Sequence, residues 1–357
     1  MKIVTIVGAR PQFIKAAAVS RAFSKINSIK EIIVHTGQHF DANMSKVFFD
    51  EMDIPVPKYA LDISSLNHGA MTGRMLEKIE EILLIESPDF VLVYGDTNST
   101  IAGALAASKL HIRIIHIEAG LRSYNMRMPE EINRIVTDRI STLLFCPSEQ
   151  SVTNLKKEGI VENVFVCGDV MHDASIYYQG LNRSEIKNKL NLNDKYILST
   201  IHRAENTDDK VKLAGIIAGL NKINNNYMKV IMPLHPRTKF KLQELGIDIN
   251  FEVIDPVGYF DMIYLIENSN QVITDSGGLQ KEAYFFKKNC VVIRDQTEWV
   301  ELTDAGYNVL CSTDEHDIYN CVVSKKLEIC DNLIYGDSNS SDRIANLLVE
   351  KFSSVFS

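Results

Sequence analysis

The sequence contains neither a G-x-G-x-x-G fingerprint nor a Walker A pattern, so no dinucleotide loop or P-loop organises it. Its 6 cysteines (Cys146, Cys167, Cys290, Cys311, Cys321 and Cys330) include no C-x-x-C pair, and no H-E-x-x-H is present. The usual zinc and dithiol signatures are therefore missing, and no metal ion is expected. Several of the cysteines fall in apolar, strand-like runs and read as reduced, buried thiols. An excess of positive charge is missing too. The 38 Lys and Arg against 46 Asp and Glu leave a net charge of -8, which argues against a general nucleic-acid binder. No apolar run approaches the roughly 20 residues that span a bilayer. The opening MKIVTIVGARPQF begins a strand at once, without the apolar core and cleavage site of a secretory signal. These absences together predict a soluble, cytoplasmic protein with no nucleic-acid or membrane partner.

What is present is an α/β rhythm played twice. At 357 residues, with 45% hydrophobic and 24% charged side chains, the chain suits two globular domains. Short β-branched runs (KIVTIVG, EIIVHTG, FVLVYG, IRIIHIEA, TLLFCPS, NVFVCGDV) alternate with helical segments up to about residue 169. A second series then starts afresh with KYILSTIHR, KVIMPLHP, FEVIDPV, QVITDSGG and CVVIRDQ. The spacing predicts a Rossmann-like domain over 1–169 and another over 170–339, doubly wound and facing each other across a cleft. An amphipathic helix over 340–357 is expected to pack back on the first domain.

In parallel sheets of this kind the carboxyl ends of the strands line the ligand crevice. Asp96 follows FVLVYG and Glu118 follows IRIIHI, with the Ala/Leu-rich helix NSTIAGALAASKL between them, capped by Asn98 or Ser99. Glu130 and Glu131 open a further helix that runs toward Arg134. Taken alone the pair reads as an electrostatic match to a helix N-terminus, whereas the whole set of carboxylates suggests proton transfer. After the first strand come Gly8 and Arg10, with Lys15 one helical turn on; Arg10 is a candidate anion ligand. His39, in the loop after the second strand, reads as a structural hydrogen-bonder. In the second half, IHRAEN places His202, Arg203 and Glu205 at a strand end, and PLHPR does the same for His235 and Arg237. TDSGGLQKE sets Ser276, Gly277 and Gly278 at a helix start, where free N–H groups and the dipole bind anions. Glu282, further along, is placed to accept hydrogen bonds from a ribose.

Taken together, GARPQFIK, YGDTNST, HIEAGLRS, MPEEINR, IHRAEN, DSGGLQKEA and RDQTE resemble the non-hydrolysing UDP-N-acetylglucosamine 2-epimerases in order and spacing over nearly the whole chain. The resemblance implies two Rossmann-like domains in the glycosyltransferase-B arrangement, no cofactor and a homodimer. It also implies a reaction. The C2 proton and UDP leave by anti elimination, giving a 2-acetamidoglucal, and UDP then re-adds at C1 as C2 is protonated from the other face. By this resemblance Asp96, Glu118 and Glu130 take the proton-transfer positions. His202, Lys15 and Arg10 meet the UDP phosphates, Ser276 and Gly277 form the diphosphate turn, and Glu282 holds the ribose. Arg134 becomes a nucleotide-side residue, and uracil lies near Pro256, Tyr259 and Phe260.

Three stretches depart from the family pattern. Gln12 replaces the acid of GTRPE, Trp299 and Val300 replace Arg and Pro of TERPE, and Asn67-His68 replaces an Arg-Gln pair associated with activation by a second UDP-GlcNAc. The first two variants also resemble epimerases of modified sugars such as UDP-2,3-diacetamido-2,3-dideoxyglucuronate. Competing readings are the hydrolysing epimerase, a glycosyltransferase of the same architecture and a nucleotide-sugar sensor.

Overall fold

The computed structural model describes residues 1–38, 52–181, 184–186, 190, 192, 195–324 and 333–352. His39, Cys330 and the last five residues of the segment expected as a C-terminal helix, 353–357, lie outside them. Backbone contacts divide the chain into Met1–Ala174 with Leu333–Ser357, and Ser175–Asn332.

The first unit is built on a parallel sheet of β1 (Lys2–Val7), β2 (Lys30–His35), β3 (Tyr59–Ala60), β4 (Phe90–Tyr94), β5 (Arg113–Ile117), β6 (Leu143–Cys146) and β7 (Val164–Val166). Its order is β3-β2-β1-β4-β5-β6-β7. β4 reads FVLVY and is buried throughout, as a strand covered by helices on both faces must be. The helices are α1 (Arg10–Ser24), α2 (His68–Glu86), α3 (Asn98–Lys109), α4 (Pro129–Ile140), α5 (Glu149–Lys157) and the first residues of α6 (Val170–Leu181), whose remainder from Ser175 belongs to the second unit. Ile79, Ile82 and Met75 of α2 close over Val4, Val34, Val91 and the alanines of α3 to form one face of the core. Alanine at 102, 104, 106 and 107 lets α3 lie close to the sheet.

The second unit has β8 (Tyr196–Thr200), β9 (Lys229–Pro233), β10 (Glu252–Ile254), β11 (Gln271–Thr274), β12 (Asn289–Ile293) and β13 (Asn308–Cys311). They are ordered β10-β9-β8-β11-β12-β13, again all parallel. Its helices are α7 (Ala204–Thr207), α8 (Lys210–Asn226), α9 (Pro236–Leu245), α10 (Tyr259–Asn268), α11 (Gly277–Phe285), α12 (Val300–Asp304) and α13 (Glu315–Ser324). Its core joins Leu213, Ile216, Ile217 and Leu220 of α8 to Val230, Met232 and Ile273 of the sheet.

The last helix, α14 (Ser340–Phe352), belongs to the first unit. Asp173 of α6 accepts from the N–H groups of Ser340 at 3.1 Å and Ser341 at 2.6 Å, satisfying its first turn. At its far end Phe352 meets Phe90 edge to face, ring centroids 4.9 Å apart.

Both sheets carry the doubly wound strand order, in which the chain reverses direction across the sheet between its first and fourth strands. The crevice of such a sheet opens at the carboxyl ends of those two strands. In the first unit these are the ends of β1 and β4, and in the second the ends of β8 and β11. Among the described residues no helix is long and apolar enough to cross a membrane.

Candidate active site

At the β1–β4 reversal of the first unit, the turn after β1 is fixed by Gln12. Its Oε1 accepts from Gly8 N at 2.8 Å and Ala9 N at 3.1 Å. Its Nε2 donates to the Tyr94 carbonyl at 2.9 Å and lies 3.0 Å from the hydroxyls of Thr97 and Thr100. One buried amide thus staples the β1 turn to the β4 turn, using donors that a carboxylate in its place would lack.

Beyond that staple lie the acidic groups. Lys15 and Glu118, both buried, form an ion pair. Asp96 accepts from Arg134 Nη2 at 2.5 Å, and its carbonyl accepts from Asn133 Nδ2 at 2.8 Å. Gly95, at φ +60°, sits against Glu118, since a Cβ there would stand 2.9 Å from Glu118 Oε2. Burial pushes the Asp96 carboxyl above the ordinary range, Arg134 works against it, and the Glu118 charge adds to the rise. Glu118 itself has φ +72°, a left-handed backbone for a residue with a full side chain. Such a conformation costs of order 1–3 kcal/mol and recurs at sites of function.

The two glutamates that open α4 separate cleanly. Glu131 is fully buried and accepts from Ser123 N at 2.9 Å, Tyr124 N at 2.9 Å and Arg134 Nη1 at 3.0 Å, so it braces the preceding loop. Glu130 is half-buried, and no hydrogen-bond or ion-pair partner of it is found among the described residues. Arg134 is held between Asp96 and Glu131. Arg10 is half-buried at the first position of α1.

Behind these groups runs a buried network that the sequence reading passed over. His116 Nδ1 lies 2.7 Å from Asp138 Oδ1, and its Nε2 lies 2.8 Å from the Gly95 carbonyl. Asp138 also accepts from Arg122 Nη1 at 2.7 Å, and Arg122 forks onto Glu158 at 2.7 and 2.8 Å. Each nitrogen of His116 faces an oxygen, one on Asp138 and one on Gly95. His116 therefore ties the Gly95–Asp96 turn to the strand that ends in Glu118. Its signal in the sequence is only a histidine inside an apolar strand, two residues before that glutamate.

In the second unit the chemistry is different. α11 starts at Gly277 with Ser276 as N-cap, and the Ser276 side chain makes no capping bond. Donors of the first turn are thereby left for a ligand. A Cβ at Gly277 would press into Glu298 Oε1, whereas Gly278 opens on empty space. Glu298 is held by Arg294 at 2.9 Å, and the Lys281 ammonium lies 4.1 Å from the Trp299 ring. Trp299, part of the TEWVE departure, and Glu298 before it are thus neighbours of the helix start.

Asp275, fully buried, accepts from His202 N at 3.1 Å, Arg203 N at 2.9 Å and Asn206 Nδ2 at 3.1 Å. It fixes the β8 turn beside the β11 turn; its place in the TDSGG motif is the clue that was available. The His202 side chain is 40% exposed, so its ring stays accessible, and it lies 5.7 Å from the ring of His235. Burial lowers His235, helped by His202 beside it. Glu282 is buried along α11.

Pro256 lines a cavity of about 640 Å³ with Leu234, Lys239 and Val253 at the ends of β9 and β10. Tyr259 is 2% exposed, with its hydroxyl 3.2 Å from Ser175 Oγ and its ring against Tyr178, so it is a core residue in this structure. Phe260, half-buried, packs on the same Tyr178 ring at 5.4 Å.

The sequence expectations shift in three places. The cap of α3 is Thr97, whose hydroxyl accepts from Thr100 N, rather than Asn98 or Ser99; the threonine pair closes a reciprocal box that neither later residue can reach. The IHRAEN loop contains the short helix α7. The cysteine spacing hid a cluster, because Cys311, Asp317 and Cys321 have their ligand atoms within 4.8 Å of one another.

A sequence profile described as UDP-N-acetylglucosamine 2-epimerase matches residues 21–349. A UDP-2,3-diacetamido-2,3-dideoxy-D-glucuronate 2-epimerase of Pseudomonas aeruginosa is 54% identical over 356 residues, 98% of this chain and 100% of that one. A UDP-N-acetylglucosamine 2-epimerase of Methanococcus maripaludis is 44% identical over 361 residues, covering 97% and 98% of the two chains. Among solved structures, the Methanocaldococcus jannaschii UDP-GlcNAc 2-epimerase in complex with UDP-GlcNAc and UDP has a TM-score of 0.89 at 41% identity, covering 98% of this chain and 100% of that chain.

Proposed function

The chain belongs to the UDP-N-acetylglucosamine 2-epimerase family and is a UDP-sugar 2-epimerase; from that premise we propose which residues carry the reaction and which sugar it takes. UDP is held through its diphosphate by the turn at Ser276 and Gly277, where the open first turn of α11 offers its N–H groups, with His202 and Arg10 as further donors and Glu282 on the ribose. Uracil lies by Pro256, with the buried Tyr259 and Phe260 supporting that segment from behind. Asp96, Glu118 and Glu130 move the C2 proton. One takes it as the C1–O bond to UDP breaks, which leaves a 2-acetamidoglucal and UDP. A second returns a proton to the opposite face as UDP re-adds at C1, so the atoms balance without any redox partner.

The observation that carries this reading is the state of Asp96. A carboxyl whose pKa is raised by burial and by a neighbouring carboxylate is matched to proton transfer nearer neutral pH than an ordinary aspartate. The second carboxylate, Glu118, stands beside it in its ion pair with Lys15. Lys15 is then a partner of Glu118 before it is a ligand of phosphate.

For the sugar, the 54% identity to an epimerase of UDP-2,3-diacetamido-2,3-dideoxy-D-glucuronate favours that uronate, and the GARPQ and TEWVE variants support it. UDP-N-acetylglucosamine is the second candidate, supported by relatives such as the 44% identical archaeal enzyme. Proton NMR of the purified enzyme with each sugar in D2O separates them. Deuterium at C2 together with the 2-epimer identifies the substrate, and free sugar plus UDP identifies the hydrolysing outcome. No exchange with either sugar, from protein that binds UDP, overturns the assignment of both.

We further propose a cytoplasmic homodimer. A single mass by light scattering equal to one chain would refute the dimer.

A further inference from the structure

Away from the groups assigned above, strand β13 ends on Cys311, and helix α13 presents Asp317 and Cys321, four residues apart, on one face. The three ligand atoms lie within 4.8 Å of one another. Cys311 Sγ is 3.6 Å from Asp317 Oδ2, and Cys321 Sγ is 3.8 Å from Asp317 Oδ1. These spacings can be compared with a tetrahedral site. With Zn–S near about 2.3 Å and Zn–O near about 2.0–2.2 Å, the S···O edges of the tetrahedron are about 3.5–3.7 Å and the S···S edge about 3.8 Å. The two S···O separations, which run to the two different oxygens of Asp317, lie near the S···O edge, and the sulfurs fall within 4.8 Å of one another.

We propose that Cys311, Asp317 and Cys321 form a site for a thiophilic divalent cation of the zinc type, with water in the fourth position. The carboxylate is oriented from behind by Ser312 N, which donates to Asp317 Oδ2 at 2.9 Å, the kind of support that metal ligands need. A cavity of about 80 Å³ opens at the Cys311 end of the cluster, lined there by Cys311, Ser312 and Thr313. Without a cation both thiols donate to Asp317, and burial, with Cys321 and Asp317 nearby, pushes the Cys311 thiol up. Binding releases those two protons and forms two metal–thiolate bonds and one metal–carboxylate bond. The cation then joins the end of β13 to α13 and stands apart from the epimerase chemistry.

The test uses full-length protein, reduced and treated with a chelator, then titrated with Co2+ as an optical probe. A thiolate-to-cobalt charge-transfer band that saturates at one equivalent and is reversed by Zn2+ is expected. Cys321→Ser should lose the band, and Asp317→Asn should weaken Co2+ binding at least about tenfold, the lower end of what losing a ligand-orienting or ligating group costs. Both variants should keep UDP binding, which shows that they fold. Absence of the band in the wild type, or its persistence in folded Cys321→Ser, overturns the proposal. So does an unreduced mass two protons short with Cys311 and Cys321 in one linked peptide, which would identify a disulfide instead.

Discussion

Helices α3 and α11 hold the same station in their two sheets, each following the fourth strand of a doubly wound order, yet their first turns are finished in opposite ways. α3 is closed by its own side chains. Thr97 accepts from Thr100 N, Thr97 N donates to Thr100 Oγ1, and Gln12 bonds to both hydroxyls. α11 begins on Ser276 and Gly277 with no side-chain cap. The strand ends just before them differ in the same sense. The first unit places Asp96 there, with Glu118 at the end of the next strand, both restrained by cations; the second places Asp275, whose carboxylate is taken up by the N–H groups of His202 and Arg203 and the amide of Asn206, ahead of Gly277. Topology therefore decides where a site can form, and the residues at the reversal decide which charge it accepts. A sealed turn beside carboxylates suits proton transfer, and an open turn suits an anion.

Asp96→Asn should break the first half of this comparison most severely. We expect turnover to fall by about three orders of magnitude, in line with the loss of a general acid–base group, while UDP affinity by calorimetry stays unchanged. A variant with near-normal turnover would remove Asp96 from the mechanism. Gly277→Val attacks the other half. The side chain must displace Glu298 from the helix start, and losing one or two charge-assisted hydrogen bonds raises the UDP dissociation constant by about 10–100-fold. Gly278→Ala, with open space around it, should leave UDP binding where it was; equal damage from both changes would discredit the turn.

His116→Gln sharpens the comparison within the first unit. Glutamine can still donate to the Gly95 carbonyl or to Asp138 but not hold both as the ring does. We expect kcat to drop about tenfold or more, with KM and UDP affinity preserved, as follows from a displaced reacting group. A parallel loss of UDP binding would mean general disorder instead.

The pH dependence of stability should follow Asp96 in an unusual direction. Its folded pKa is raised, so the folded state binds the proton more tightly than the unfolded chain. Its contribution is complete below the unfolded pKa and is lost as pH rises through the folded value. Melting temperatures of wild type and Asp96→Asn, measured from pH 3 to 8 (an ordinary acid-to-neutral range for an aspartate near about 3.9), should show the wild type losing ground to the variant as pH increases. A constant difference would contradict the shift. The smallest effect belongs to the caps. Thr97→Ala should cost about 1 kcal/mol of stability, and Ser276→Ala, which removes no capping bond, should cost little in a urea melt.

Much of this was legible because strand runs and strand-end residues are local. FVLVYG followed by Asp96, and QVIT followed by DSGG, announce both the element and the crevice side. The network of His116, Asp138, Arg122 and Glu158 was not legible, since its members come from β5, α4, the turn after β5 and the end of α5, and no spacing links them. Glu130 and Glu131 show the same limit. Adjacent in sequence, they point to different surroundings, and only packing reveals that Glu131 braces a loop while Glu130 does not. Tyr259 reads as an aromatic near a base and turns out to be core, because Tyr178 claims its ring. The cap of α3 erred by one or two residues, the ordinary uncertainty where a helix begins.

Glu118 has a further implication for anyone who selects variants. Its backbone sits where glycine is at ease and other residues are strained. Glu118→Gly would relax that backbone, a gain of about 1–3 kcal/mol, but would strand the buried Lys15 ammonium, a loss of about 3–5 kcal/mol. The ion pair thus shields this position from a screen for heat resistance alone, and the residue the chain holds least comfortably is kept by its own partner.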